Sequence, residues 1–337
     1  MGKRKQKGTI FTCMFTIGVF LLIGGFGLPG SAMAKSVSLT IATATMSGNW
    51  YPLGGGIAKI INDSFPGKYT ATVVTSSGTQ ENTRRIDKGQ VQLALGSARQ
   101  CYEAWKGLPP LFKKPLKVAG ITAHYGAFNA LLVSAKSGVK TISDIKKKKA
   151  KISTYLPGHE LNLLATNYVL KPNGVEVSDF KRLQYDMTEN LANFKDGHID
   201  GFFANISVGM GSIVELARTR DLVWVEFGQA AFDAVGKSPF APFYTVDTLP
   251  ADSFPNQPAY TSLGYRYQII CDPGLSEEVV YNVTKALWEN MEQIYAINPG
   301  FKAGTFENAC RNLVVPPHPG ALKYYKEKGI NLGKWGK

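Results

Sequence analysis

The sequence predicts an α/β fold, and three observations carry that expectation. Short segments rich in Val, Ile and Thr alternate along most of the chain with segments that place apolar residues at helical spacing. Gly, Pro, Asn and capping residues punctuate the joins between them. Behind an apolar leader, most of the 337 residues remain, enough for two lobes of ordinary size.

The leader comes first. Lys3, Arg4, Lys5 and Lys7 precede an uncharged apolar run over residues 10–28 and the stretch Gly30-Ser31-Ala32-Met33-Ala34. Charged start, apolar core and a small-residue A-x-A-like site form the pattern of a secretory signal peptide, here cut after Ala34. An uncleaved anchor would use the same run to span a bilayer, but its glycines and Ala-Met-Ala end favour cleavage. Cys13 lies inside the run, where it gives no support for a lipid anchor.

Residues 37–43 alternate as a half-buried strand, and a helix follows with Leu53, Ile57, Ile60 and Ile61 on one face and Pro52 in its first turn. Residues 70–75 read as strand, Thr79 as the cap of a helix running to Lys88, and residues 91–95 as a short strand. After a Pro-rich loop, residues 117–122 and 129–134 read as two strands, 144–149 as a short helix and 150–154 as a strand. A helix over 159–170 buries Leu161, Leu164, Ala165 and Tyr168. Residues 182–185, a Thr188-capped helix ending at Gly197, a strand over 199–204, a helix over 209–218 and a strand over 222–227 extend the alternation. Residues 229–262, rich in Pro, Ala, Phe and Asp, read as an irregular connector before a strand over 265–271. One long helix is then expected up to Pro299-Gly300, with Glu277 and Glu278 in its first turn complementing the helix dipole. Its buried face carries Val279, Val283, Leu287, Met291 and Ile294. The tail over 316–337 is a Pro-rich turn and a basic amphipathic segment whose Leu322, Tyr324 and Tyr325 are expected to pack across a lobe.

Formal charge is +13, and removing the leader leaves +9. Five of those charges sit at Lys146, Lys147, Lys148, Lys149 and Lys151, a run that reads as a solvated face. No aromatic-interleaved basic groove accompanies it, so no nucleic-acid partner is expected. Cys101, Cys271 and Cys310 are too widely spaced for a metal set and read as buried small hydrophobes. His124, His159, His198 and His318 are scattered singly. No catalytic set, cofactor or metal is expected.

Three loops after strands have chemistry suited to a small anion. The first spans residues 45–56 and offers hydroxyls, Asn49, Trp50, Tyr51 and backbone N–H groups; its Gly54 to Gly56 serve either an anion or close packing of the helix. The second is Thr75-Ser-Ser-Gly-Thr-Gln-Glu-Asn82, able to hold a carboxylate or simply to cap a helix. The third is Gly96-Ser-Ala-Arg-Gln100, whose Arg99 either grips a carboxylate, faces solvent or forms a structural ion pair. Trp50 and Tyr51 are expected at the ligand, while Trp105, Trp224 and Trp288 fill cores.

The run Ser47-Gly-Asn-Trp-Tyr-Pro-Leu-Gly-Gly-Gly56, the segment over 75–82 and Tyr102-Glu-Ala-Trp-Lys-Gly107 resemble the TAXI solute-binding proteins. These are the extracytoplasmic receptors of one branch of the tripartite ATP-independent periplasmic (TRAP) transporters. The likeness continues through Lys195-Asp-Gly-His-Ile-Asp-Gly-Phe-Phe203 and Val280-Tyr-Asn-Val-Thr-Lys-Ala-Leu-Trp-Glu-Asn290, and ends in Pro317-His-Pro-Gly-Ala-Leu-Lys-Tyr-Tyr-Lys-Glu-Lys-Gly329. The resemblance implies a type II-like, two-lobed periplasmic binding protein, each lobe a sheet flanked by helices, with a ligand cleft at the hinge. Lobe I would comprise residues 35–128 and 263–337, and lobe II residues 129–262. A monomer in the periplasm would capture a small carboxylate (a dicarboxylate, a 2-oxo acid, or something like glutamate or glutamine) and deliver it to the TRAP membrane permease subunits. A sensory partner, or an ATP-driven importer, could use the same body.

Carried onto this chain, the resemblance places ligand contacts at Asn49, Trp50, Tyr51, Ser77, Thr79 and Asn82, with the loop Pro157, Gly158, His159 and Glu160 and the segment from Asn205 to Ser207 opposite. The family reads something like Gln-Ser-Asp where this chain has Ser97-Ala98-Arg99. Arg99 in place of an acid would repel an amine and attract a second carboxylate, so an amine-free dicarboxylate or oxo acid is expected. The second-lobe loop also departs from the family's Gly-Ser-Gly-Thr-like pattern, reading Leu156-Pro-Gly-His here, and the Pro usual after the Phe203 strand is missing from Ser207-Val-Gly-Met210.

Overall fold

Residues 36–336 are described by a computed structural model; the leader expectation, residues 1–34, lies outside them. In chain order the first elements are β1 (Val37–Ala42), α1 (Trp50–Ser64), β2 (Tyr69–Val74), α2 (Thr79–Asp87), β3 (Leu93–Ser97) and α3 (Ala98–Lys106). Next come β4 (Ala119–Ser134), α4 (Ile142–Lys147), β5 (Lys151–Ser153), α5 (Glu160–Leu164), β6 (Lys181–Leu183), α6 (Met187–Lys195), β7 (Gly201–Ile206), α7 (Gly211–Thr219), β8 (Leu222–Trp224) and α8 (Gln229–Gly236). The chain ends through β9 (Tyr244–Leu249), β10 (Tyr260–Cys271), α9 (Glu277–Glu289), α10 (Met291–Ile297), α11 (Phe306–Ala309) and α12 (Pro319–Glu327). The α/β class is as the alternation predicts.

The strands form one mixed sheet in the order β2-β1-β3-β10-β4-β7-β5-β6, with β8 beside β4 and β9 beside β10. Parallel blocks β2-β1-β3 and β7-β5-β6 flank two long antiparallel strands. These long strands change partners part-way along. Residues 119–128 of β4 pair with β10, while Phe128 to Val133 pair with β7. On β10, Tyr260 to Tyr265 pair with β9 and Tyr267 to Cys271 with β3, with a register shift between Tyr265 and Tyr267. Apolar residues on both faces of the central strands pack under the helices, as buried sheets require.

Several expectations are corrected. Residues 117–122 and 129–134 are not two strands: β4 runs through, because Ala123, His124 and Ala127 stay buried and the pairing with β10 resumes across a register shift between His124 and Ala127. His124 is stacked between Trp288 and Phe301, with ring centroids 5.2 and 4.7 Å away. The connector over 229–262 contains α8 and the edge strand β9. Its helix buries only Ala231 and Val235, and the middle of β9 is exposed, which left little periodicity to read. The helix over 159–170 is α5 followed by a π-helical turn over Ala165–Leu170. The last long helix breaks at Asn290, whose φ of −123° and ψ of 23° are not helical. Asp186, not Thr188, caps α6: its carboxylate accepts from the Glu189 N–H at 2.9 Å, and Glu189 accepts from the Asp186 N–H at 3.0 Å.

The tail packs as expected. α12 lies on α9 so closely that a Cβ at Gly320 would stand 2.2 Å from the Glu277 carbonyl oxygen, and the Tyr325 hydroxyl donates to the Ile121 carbonyl at 2.9 Å. Cys101, Cys271 and Cys310 are free thiols and buried. The lysines at 146–149 are exposed. Among the described residues no helix is long and apolar enough to cross a membrane.

Candidate functional site

Where β1 ends, the chain turns into α1, and the turn at residues 44–50 forms one wall of a cavity. The start of α2, the end of β3 and Gln100 of α3 add to that wall. Tyr155, His159 and Glu160 before and at α5, Met187 of α6 and Asn205 of β7 stand opposite, and Tyr265 of β10 completes the lining. The free volume at its centre is about 40 Å³, room for a few water molecules. A second space of the same size lies next to it, lined by Ser77, Thr79, Gln80, Gln100, Leu156, Pro157, Gly158 and His159.

Of the residues expected at the site, Asn49, Trp50, Thr79, His159 and Asn205 line the main cavity, and Ser77, Pro157 and Gly158 line its neighbour. Ser207 faces a separate opening shared with Asn49. Tyr51, Asn82 and Arg99 line none of these spaces.

Local chemistry explains the placements. The Asn49 amide donates to the Ser207 hydroxyl at 2.5 Å and to the Tyr267 hydroxyl at 2.8 Å, pinning the loop to β7 and β10. Ser47 and Thr188 add a hydroxyl pair at 3.0 Å. Trp50 is buried with its ring edge-on to Tyr267. Thr79 does not cap α2, which starts from Gly78; its hydroxyl accepts instead from the Ser97 N–H at 3.0 Å and ties β3 to α2. Ser77 binds Glu81 through both its N–H and its hydroxyl. The Asn82 amide, fully buried, donates to the Thr43 and Leu95 carbonyls at 2.7 and 2.8 Å, holding the ends of β1 and β3 together. Gly54 and Gly56 lie inside α1, where a Cβ would strike Thr43 and Ile297, so packing explains both.

His159 caps α5: its Nδ1 accepts from the Leu161 N–H at 3.1 Å, which leaves the proton on Nε2. Burial lowers its pKa to about 4, so the ring is neutral near pH 7. Tyr155 tilts against that ring at 4.3 Å and holds a positive φ of 74°, a backbone state that costs a non-glycine residue and is kept only where surroundings fix it.

Arg99 is neither a cavity contact nor a solvent-facing side chain. β3 passes directly into α3, which turns Gln100 toward the cavity and Arg99 behind it. The guanidinium, 4% exposed, bonds Glu103 at 3.1 Å and lies 3.9 Å over the Phe240 ring. Burial opposes its charge, but Tyr244, Glu160 and Glu103 around it keep it protonated. Glu103 is pushed up to about 7, first by burial, with Arg99 pulling down and Glu160 pushing up. Tyr244 donates to Glu160 Oε1 at 2.6 Å. Glu160 Oε2, Glu103 Oε2 and Arg99 Nη1 are buried without hydrogen-bond partners.

Sequence reasoning missed Tyr155, Met187 and Tyr265. Gln100 and Glu160 lay in loops it had singled out, Gln100 without a role of its own. Tyr265 and Met187 carried no signal beyond apolar periodicity.

Residues 41–329 match the family model described as the NMT1-like family. Among solved structures, a binding-protein component of an ABC phosphonate transporter from Pseudomonas aeruginosa aligns with a TM-score of 0.54 at 11% identity, covering 80% of each chain. A structure described as a periplasmic transporter aligns at 0.53 and 14% identity, over 90% of this chain and 99% of its own. A TRAP periplasmic solute-binding protein from Bordetella aligns at 0.46 and 15% identity, over 87% of this chain and 95% of its own. The first two show that this chain has the α/β fold of periplasmic binding proteins.

Proposed function

We propose, from the premise that the chain belongs to the NMT1-like family, that it is an extracytoplasmic solute-binding protein that hands a small polar molecule to a membrane transporter. The observation that supports this most is the cavity itself. It is small, lined by hydroxyl, amide and carboxyl groups, and set where both long strands change partners. Strand exchange of this kind is what a hinge between lobes over 35–128 with 263–337 and over 129–262 would use. A free volume of about 40 Å³ admits a solute of several heavy atoms only if the walls part, so capture and closure would be one event.

The finer reading is a TAXI-type receptor for a small carboxylate, serving a TRAP permease in the periplasm as a monomer; it rests on the sequence motifs at 47–56, 75–82 and 317–329. Thr45, Thr79, Ser97 and the Nε2–H of His159 supply donors for a carboxylate. Pairing of Arg99 with Glu103 removes the reason to expect an amine-free ligand. Service to an ATP-driven importer is the second reading, favoured by the fold likeness to the phosphonate-transporter component.

A thermal-shift screen of the purified protein, unfolded and refolded to strip carried-over solute, tests the reading. Against small carboxylates at a hundred times the dissociation constant, binding would stabilise by about 2.7 kcal/mol. A shift confined to one chemical class is expected. No shift with any carboxylate, alongside a shift with uncharged solutes, would overturn the carboxylate reading.

A further inference from the structure

Ser207 follows β7 directly and is 1% exposed. Three side chains from other elements converge on its hydroxyl. The Asn49 amide donates to it at 2.5 Å and the Asn298 amide at 3.3 Å, which takes both lone pairs of the oxygen. The Tyr267 hydroxyl stands 3.4 Å away to share the remaining proton, and the second hydrogen of the Asn49 amide goes to that same Tyr267 oxygen at 2.8 Å. The Ser207 hydroxyl therefore has nothing left to offer a solute, although the resemblance places it among the ligand contacts. Under the proposed hinge, Ser207 belongs to 129–262, whereas Asn49, Asn298 and Tyr267 belong to 35–128 and 263–337, so each of its bonds crosses from one lobe to the other. Ser47 and Thr188 make a further crossing at 3.0 Å, but at the exposed rim, where water replaces either partner.

We propose that Ser207 is the closure latch of the receptor: a positioning residue that shuts the cleft on the chain's own hydrogen bonds, with or without solute, and does not itself touch the ligand. This rests on the two-lobed solute-receptor reading above. Because these bonds favour the closed state by the same amount whatever solute is present, they set how much of the unliganded protein stands open to receive one.

Labelling of the solute-stripped protein with fluorescein maleimide, read by peptide mass mapping, tests this with no ligand present. Ser97→Cys puts a thiol on the cavity wall, at a position 3% exposed that a bulky reagent reaches only when the walls part. Cys101, Cys271 and Cys310, fully buried, report unfolding in the same sample. In the Ser97→Cys protein the new thiol is expected to label faster than those three. Adding Ser207→Ala is expected to speed it by about tenfold or more, as the loss of several hydrogen bonds from the closed form implies, while Cys101, Cys271 and Cys310 keep their rates. A rise shared by all these thiols would make Ser207 merely structural, and an unchanged rate would show that its bonds do not hold the walls; either overturns the inference and leaves the receptor reading standing. Labelling of the Ser97→Cys thiol as fast as a free thiol, before Ser207 is changed, would show a cleft that stands open without solute and would overturn the latch alone. Thiols that all label together at that stage would show that the walls do not part short of unfolding, and would overturn the two-lobed reading with the inference. Should Ser207→Ala fail to fold, Asn49→Ala removes the donor from the other wall and is expected to give the same selective rise; its absence would contradict the assignment.

Discussion

Gln100 donates from Nε2 to the carbonyl oxygen of Gly158 at 2.9 Å, joining α3 to the loop that precedes α5 beside the smaller space that both residues line. The bond needs both partners in unusual places: Gly158 holds a φ of 78°, and Gln100 is 1% exposed. It joins the two walls, so under the proposed hinge it would be a contact of the closed form.

Gln100→Ala is therefore expected to weaken solute binding more than it weakens the fold. A single neutral hydrogen bond contributes about 0.5–1.5 kcal/mol, or roughly a two- to tenfold rise in dissociation constant. Calorimetry and denaturant unfolding of the same variant separate the two effects. An unchanged affinity with lowered stability would show the bond to be purely structural.

Stability should carry a titration of unusual sign. Glu103 rises from 4.5 to about 7 on burial, so the native chain holds a proton that the unfolded chain has lost. Its contribution is fully present below the unfolded value and falls away as pH rises through about 7. His159, lowered to about 4, works oppositely between pH 4 and 6.5, gaining stability as pH rises. Comparing Glu103→Gln with the wild type isolates the first effect: the difference in unfolding free energy is expected to change between pH 4.5 and 7, and a flat difference would contradict it.

Gly320→Ala should destabilise by about 2 kcal/mol or more, since backbone of α9 stands where the new methyl would go and overpacking at that distance cannot relax by a rotamer change. Urea unfolding checks it. A neutral result would mean that α12 is free to lift off α9.

Thiol reagents give a cheap check on both burial and processing. Cys101, Cys271 and Cys310 are all at 0% exposure, and burial pushes the Cys310 thiol up to about 11, so none should react in the native protein. In denaturant, three thiols should titrate if residues 1–34 have been removed, and four if Cys13 is still present.

The fold was legible where a strand or helix has one buried stripe. β1, α1, β2 and the start and buried face of α9 read correctly because Leu39 and Ile41, or Val279 and Val283, repeat at the element's own period. It was illegible where tertiary pairing overrides local pattern: β4 runs through His124 and Ala127 because β10 is there to receive them, and β9 exists because β10 offers an edge. The site divides the same way. Loops after strands announced Asn49 and Thr79, and the family resemblance added His159, whereas the direction of a side chain on a helix was hidden, so Arg99 was singled out and its neighbour Gln100 was not.

The most direct test of the account is a crystal structure of the protein with its tightest-binding small carboxylate. The ligand is expected between the loop at 44–50 and the segment at 155–160, with its carboxylate within hydrogen-bond reach of Thr79 or His159. A ligand bound elsewhere, or a cavity that stays shut and empty beside a ligand that binds tightly in solution, would contradict it.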